Sequence, residues 1–158
     1  PEVAGAGVIL HTAVHVFDAL RYITGREVVR LKATRFCRHS RRCEDLFMAM
    51  LEMEGGLVGT VDASKVGPAR LGRFEFVGEN GQLQGDQIHN FVEFVHGTEV
   101  SSIALAAPAS TLIPLLNGWR DFLLGSGKNP VAGEEGAAAV AIAEACLLSA
   151  ERDVWVSL

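Results

Sequence analysis

The sequence predicts an α+β domain in which an open, mostly antiparallel sheet carries its helices packed on one face. Three observations lead there. The first is order: one helical stretch, a run of consecutive strands, two further helices and a closing strand segregate the helices instead of alternating them as a doubly wound fold does. The second is size, because 158 residues amount to one domain and suffice for a self-sufficient core. The third is period, which reads as a succession of strands from residue 28 and turns helical from Ser110.

The first helix contains "HTAVHVFDALRYITG". At about 100° per residue, His11, His15, Asp18 and Tyr22 fall within an arc of about 60°. Val8, Ile9, Leu10, Ala13, Val14, Val16, Phe17, Ala19, Leu20 and Ile23 occupy the rest of the wheel. That distribution predicts burial around most of the circumference, with the polar stripe alone facing a cleft. The start lies near Gly5 to Gly7, and Gly25 is a natural left-handed stop.

A strand follows over 28–36, with Val29, Leu31 and Ala33 facing one way and Arg30, Lys32 and Thr34 the other. After the polar turn "CRHSRRCED", Leu46 to Met53 is apolar at both parities and reads as a central strand covered on both sides. "EGG" at 54–56 marks a hairpin. In "LVGTVDASK", Leu57, Val61 and Ala63 face one side, and Thr60, Asp62 and Ser64 line the other. "GRFEFVGENGQLQG" turns at Asn80-Gly81, and "NFVEFV" and "EVSSIAL" turn at Gly97-Thr98. The helix running from Ser110 to about Leu124 tolerates Pro114 only in its first turn. The alanine-rich helix after "GSGKNPVAG" places Glu134 and Glu135 at its positive end, and "VWVSL" closes the sheet.

Composition narrows the function. Fourteen basic against nineteen acidic residues argue against nucleic acid or an anionic membrane as partner and favour a small molecule. Three cysteines form no disulfide framework and fit a cytoplasmic protein. There is no long apolar span and no export signal, and an opening Pro1 in place of Met suggests a fragment of something longer.

Several motifs invite chemistry. His11 and His15, at i and i+4, permit a metal with Asp18 as an oxygen ligand; however, Thr12 stands where a zincin requires Glu, and no third nitrogen or sulfur ligand is nearby. Core histidines bonded to backbone are the blander reading. "GAG" at 5–7 lacks the preceding strand and third glycine of a dinucleotide-binding turn. Residues 26–42 hold seven of the fourteen Lys and Arg, which reads as a solvated strand face and loop before it reads as a phosphate site. Cys37, His39 and Cys43 lack the spacing of a zinc or redox site, and Cys146 is most simply a small buried hydrophobe.

"GAGVILHTAVHVFDALRYITG", "EDLFMAMLEMEGGLVGTVDASK", "RFEFVGENGQLQG" and "NPVAGEEGAAAVAIAEACLLSAERDVWVSL" together resemble, in order, the C-terminal domain of the glucose-fructose oxidoreductase, inositol dehydrogenase and rhizopine catabolism family, Gfo/Idh/MocA. The resemblance implies one substrate-binding and oligomerisation domain over 1–158, separated from an N-terminal Rossmann domain that binds NAD or NADP. It implies a homo-oligomer formed through the sheet, and a sugar, cyclitol or related polyol as substrate. In the family motif an aspartate is followed four residues later by a histidine and then, after two more residues, by a second acid. His11, His15 and Asp18 stand at those positions. His15 then matches the catalytic histidine and serves as general acid/base, aided by a lysine of the absent domain. His11 replaces the substrate-contacting aspartate, keeping a hydrogen bond but losing the fixed charge. Asp18 and Tyr22 share the stripe and are counted with His11 as substrate-binding residues; orienting the imidazole and a purely structural role are the alternatives for both. The chain alone is expected to be inactive and to bind no nicotinamide or metal. The alternative is a non-catalytic, sheet-mediated interaction module with structural histidines.

Overall fold

A computed structural model describes residues 6–158. In chain order, a π-helical turn (Ile9–Ala13) runs into α1 (Val14–Thr24). The strands β1 (Val28–Phe36), β2 (Leu46–Met53), β3 (Val58–Ser64), β4 (Arg73–Gly78), β5 (Gly81–Asp86), β6 (Phe91–His96) and β7 (Glu99–Ser102) follow. Helices α2 (Leu112–Leu123) and α3 (Gly133–Arg152) and the short strand β8 (Val156–Ser157) complete the chain. The α+β class and the antiparallel pairing are as expected. The eight strands among the described residues, however, form two four-stranded sheets, in the orders β3-β2-β1-β8 and β4-β5-β6-β7. The break falls after β3 at Gly67-Pro68, where glycine takes φ +97° and the alternating pattern stops. Two compact units result, one made of the described residues up to Val66 with Val131–Leu158, the other of Gly67–Pro130.

In the first unit, β1 and β2 pair from Arg30↔Glu52 to Phe36↔Leu46, and β3 pairs on the other side of β2. One face of this sheet packs against α3 and the first helix. Leu31, Ala33, Phe47, Ala49, Leu51, Met53, Val61 and Ala63 meet Val8, Ile9, Ala13, Phe17, Ile142, Ala143 and Cys146 there. Phe17 and Phe47 touch edge to face with centroids 6.2 Å apart. The fully buried Ser149 fastens α3 to β1: its hydroxyl accepts the Ala33 N–H (2.9 Å) and donates to the Val154 carbonyl (2.6 Å). Cys146 is buried as expected, and desolvation pushes its thiol up to about 12.

Three expectations need correcting here. β2 is central but covered on one face only; Met48 and Met50 on the other face are 46% and 55% exposed, because the helices lie on a single side. Val28, not Val29, faces the core, because the register shifts between Val28 and Arg30 and turns Val29 outward. The first helix is buried along one stripe and not around most of its circumference, and Leu10 and Ile23 are exposed.

In the second unit, β4 to β7 form a meander of successive antiparallel pairs. The β4–β5 turn falls at Asn80-Gly81, with Gly81 at φ +141°. Asp86, buried at the end of β5, accepts hydrogen bonds from the N–H groups of Gly72, Ile88 and His89 and lies 3.0 Å from Nδ1 of His89. Pro114 is the third residue of α2, inside the first turn as required.

Candidate functional site

The site predicted from sequence lies on the outer face of the first helix. Ile9, Ala13 and Phe17, four residues apart, bury one stripe, while His11, His15, Asp18 and Tyr22 are all exposed. Gly25 ends the helix in the left-handed conformation (φ 62°), its N–H bonded to the Arg21 carbonyl at 2.8 Å. Among the described residues, no hydrogen bond or ion pair engages the side chains of these four. Two imidazoles, a carboxylate and a phenol thus stand along one helix with their polar atoms open to a ligand. The histidines are not core residues satisfied by backbone. Gly5, part of the predicted helix start and of the "GAG" motif, lies outside the described residues.

Both ends of this helix are fixed by charge. At the C-terminal end, the largely buried Arg21 guanidinium forms a two-point pair with Glu27 (2.6 and 2.7 Å) and reaches Glu135 at the start of α3 (2.9 Å). The Glu27 hydrogen bonds raise the pKa of Arg21, and those same bonds hold Glu27 below the ordinary carboxylate range. At the N-terminal end, Glu44 is 6% exposed; its carbonyl accepts the Val8 N–H (2.9 Å) and its carboxylate the Ile9 N–H (3.2 Å). Sequence reasoning assigned nothing to Glu44 or Asp45. Two acids directly before an apolar strand were the available signal.

Asp45 orders the β1–β2 loop, accepting the N–H groups of Arg38 (2.9 Å), Ser40 (2.8 Å) and His39 (2.5 Å). These bonds lower its pKa from 3.8 to about 2. Burial works to raise Asp86, but hydrogen bonds from the His89 ring and from the backbone outweigh it and also bring that carboxyl to about 2. A depressed folded-state pKa stabilises above the unfolded value and loses that contribution as pH falls through the folded value. Both units are therefore expected to lose stability between about pH 4 and pH 2. Urea midpoints measured across that window should fall, and Asp45→Asn should flatten part of the slope.

Two cations of the basic segment pair with acids on the face of β1. Arg30 makes a two-point pair with Glu52 (2.7 and 2.6 Å) and stacks over Trp155 at 4.9 Å, and Lys32 pairs with Asp153. Cys37 and Cys43 are free thiols. Among the described residues, no group of three His, Cys, Asp or Glu is placed to hold a metal, and every strand pairing is antiparallel, so no βαβ cradle for a dinucleotide occurs. A cavity of about 400 Å³, lined by Glu27, Val28, Val29, Ala138, Ile142 and Leu158 among others, includes none of the four stripe residues. No helix among the described residues is long and apolar enough to cross a membrane.

Solved structures share this fold. Aldose-aldose oxidoreductase from Caulobacter crescentus, complexed with glycerol, superposes with a TM-score of 0.84 at 19% identity, over 99% of this chain and 49% of its own. UDP-N-acetylglucosamine 3-dehydrogenase GnnA from Acidithiobacillus ferrooxidans gives 0.83 at 19% identity, over 96% and 50%. The WlbA dehydrogenase from Bordetella pertussis, in complex with NADH and UDP-GlcNAcA, gives 0.77 at 20% identity, over 97% and 45%. The chain thus spans about half the length of the structures it matches. No curated protein matches it significantly. Residues 1–84 match the GFO/IDH/MocA C-terminal domain, and the chain belongs to that family of oxidoreductase domains.

Proposed function

We propose that residues 1–158 form the substrate-side and oligomerisation domain of a cytoplasmic, NAD(P)-dependent oxidoreductase acting on a sugar, cyclitol or related polyol. The observation that carries this reading is the line of four polar side chains, His11, His15, Asp18 and Tyr22, on an exposed helix face, unpaired among the described residues. His15 takes the substrate hydroxyl proton as the carbinol carbon gives up its hydride, and returns it in the reverse direction. His11, Asp18 and Tyr22 hold the neighbouring hydroxyls by hydrogen bonds. A nicotinamide held by an N-terminal Rossmann domain supplies the hydride acceptor. Without that domain the cofactor has no fixed position against the substrate, so this chain alone is expected to be inactive. Family membership supports the reaction class, and two of the matched structures hold a polyol or a sugar nucleotide with NADH.

The test is turnover. The full-length protein, given NAD or NADP and a panel of sugars and cyclitols, should produce reduced nicotinamide with at least one of them, while this chain titrated with NAD or NADP should show no micromolar binding. No turnover across the panel, or tight cofactor binding by the chain alone, contradicts the proposal.

The open sheet face supports the oligomer. Met48, Met50, Val58 and the Arg30–Trp155 stack lie there uncovered, and Met, Arg and Trp are residue types enriched at interfaces. Light scattering should give a mass at least twice that of one chain, and Met50→Glu should shift it to the monomer. A wild-type monomer rules out the sheet interface.

A further inference from the structure

The π-helical turn at Ile9–Ala13 carries His11, and its bonds reach one residue further than those of an α-helix: the Val14 N–H points to the Ile9 carbonyl. This underwinds the helix locally. In a regular helix, residues four apart drift by about 40°; an underwound turn reduces the drift between Ile9 and Ala13 on the buried side and between His11 and His15 on the exposed side. Such turns are frequent at functional sites. A buried carboxylate from outside the helix meets this one at its first residue.

Glu44, 35 residues away in sequence, accepts the Ile9 N–H at the first residue of the turn, while its own carbonyl accepts the N–H of Val8. Gly7 makes room for it: a Cβ at Gly7 would overlap the Glu44 carboxylate. Gly7 in turn supplies the carbonyl that receives the His11 N–H at 3.0 Å. Glu44, Gly7, Ile9 and His11 are therefore one connected set, with the carboxylate inside the protein and the imidazole outside.

We infer that Glu44 is a positioning residue for His11, fixing the π-turn that lines up the His11 and His15 rings. Its importance for catalysis rests on the reading above, in which His11 contacts substrate. Its geometry does not.

The experiment uses the 158-residue chain labelled for NMR. Glu44→Ala should speed exchange of the Ile9 amide about tenfold, while the Leu31 and Ala33 amides in β1 hold their rates. It should move the His11 ring resonances and leave those of His89 and His96, in the second unit, in place. Glu44→Gln keeps an oxygen acceptor and should restore wild-type values, a rescue that a merely packed side chain would not show. Gly7→Ala, which displaces the carboxylate, should reproduce the alanine variant. Should Glu44→Ala fail to fold, Glu44→Asp, one methylene too short to reach, is read in the same way. Unchanged Ile9 exchange and His11 resonances, equal shifts at all the histidines, or no rescue by glutamine overturns the inference. Movement of the His11 ring with no change in KM for the polyol in the full-length protein upholds the positioning role and removes His11 from the substrate contacts.

Discussion

Phe17→Ala is expected to destabilise the first unit by about 3–5 kcal/mol, a large part of the 5–15 kcal/mol that a typical domain has in total. Phe17 is fully buried at the centre of the helix–sheet contact, with its ring edge on Phe47 of β2. Removing it forfeits the transfer free energy of the ring and leaves a cavity in a core cluster whose other members, Ile9, Leu31 and Cys146 among them, are fully buried and cannot close it without leaving their own packed positions. The helix that carries the exposed histidines is held to the sheet by this stripe, so loss of stability and loss of a fixed stripe should come together. Urea unfolding followed by far-ultraviolet circular dichroism checks the magnitude. A cost below about 1 kcal/mol would mean that Phe17 is not the anchor its burial indicates.

Much of this architecture was legible because certain residues leave the backbone few choices. Gly25, Asn80-Gly81 and Pro114 each marked a turn or helix end that the structure places at the expected position. The polar stripe was legible because helical geometry alone brings positions 11, 15, 18 and 22 to one side.

What failed did so for equally local reasons. β2 is apolar at both parities, so its sequence carries no information about which face lacks a cover; Met48 and Met50 are as apolar as Phe47 and Leu51. The irregularity at Val29 inserts a residue without any change of composition, and it reverses the facing of two valines. Glu44 passed as one more residue of a polar turn because its partner is a main-chain N–H 35 residues away, and a backbone donor leaves no trace in the sequence. The π-turn was hidden for a related reason: the four-residue spacing of Ile9, Ala13 and Phe17 fits a regular helix nearly as well as an underwound one.

The second large effect concerns chemistry. In the full-length protein, His15→Ala is expected to lower kcat by about 10²–10⁴-fold, the usual worth of a positioned acid/base. The imidazole has no partner within the described residues, so its loss strands no buried group, and the fold should keep its wild-type Tm. Exposure separates this variant from Phe17→Ala: one should lose activity with stability intact, the other stability first. His11→Ala, equally exposed, should also leave stability intact and should raise KM more than it lowers kcat, since the hydrogen bond proposed for it is made to substrate and transition state alike.

The most direct measurement is single-turnover hydride transfer in the full-length protein, with substrate and cofactor saturating, comparing wild type with His15→Asn. Asparagine keeps a polar side chain but cannot carry the proton. The expected result is a transfer rate at least about a hundredfold slower with cofactor affinity unchanged. A rate equal to wild type would contradict the assignment of the exposed helix face as the place where the proton moves.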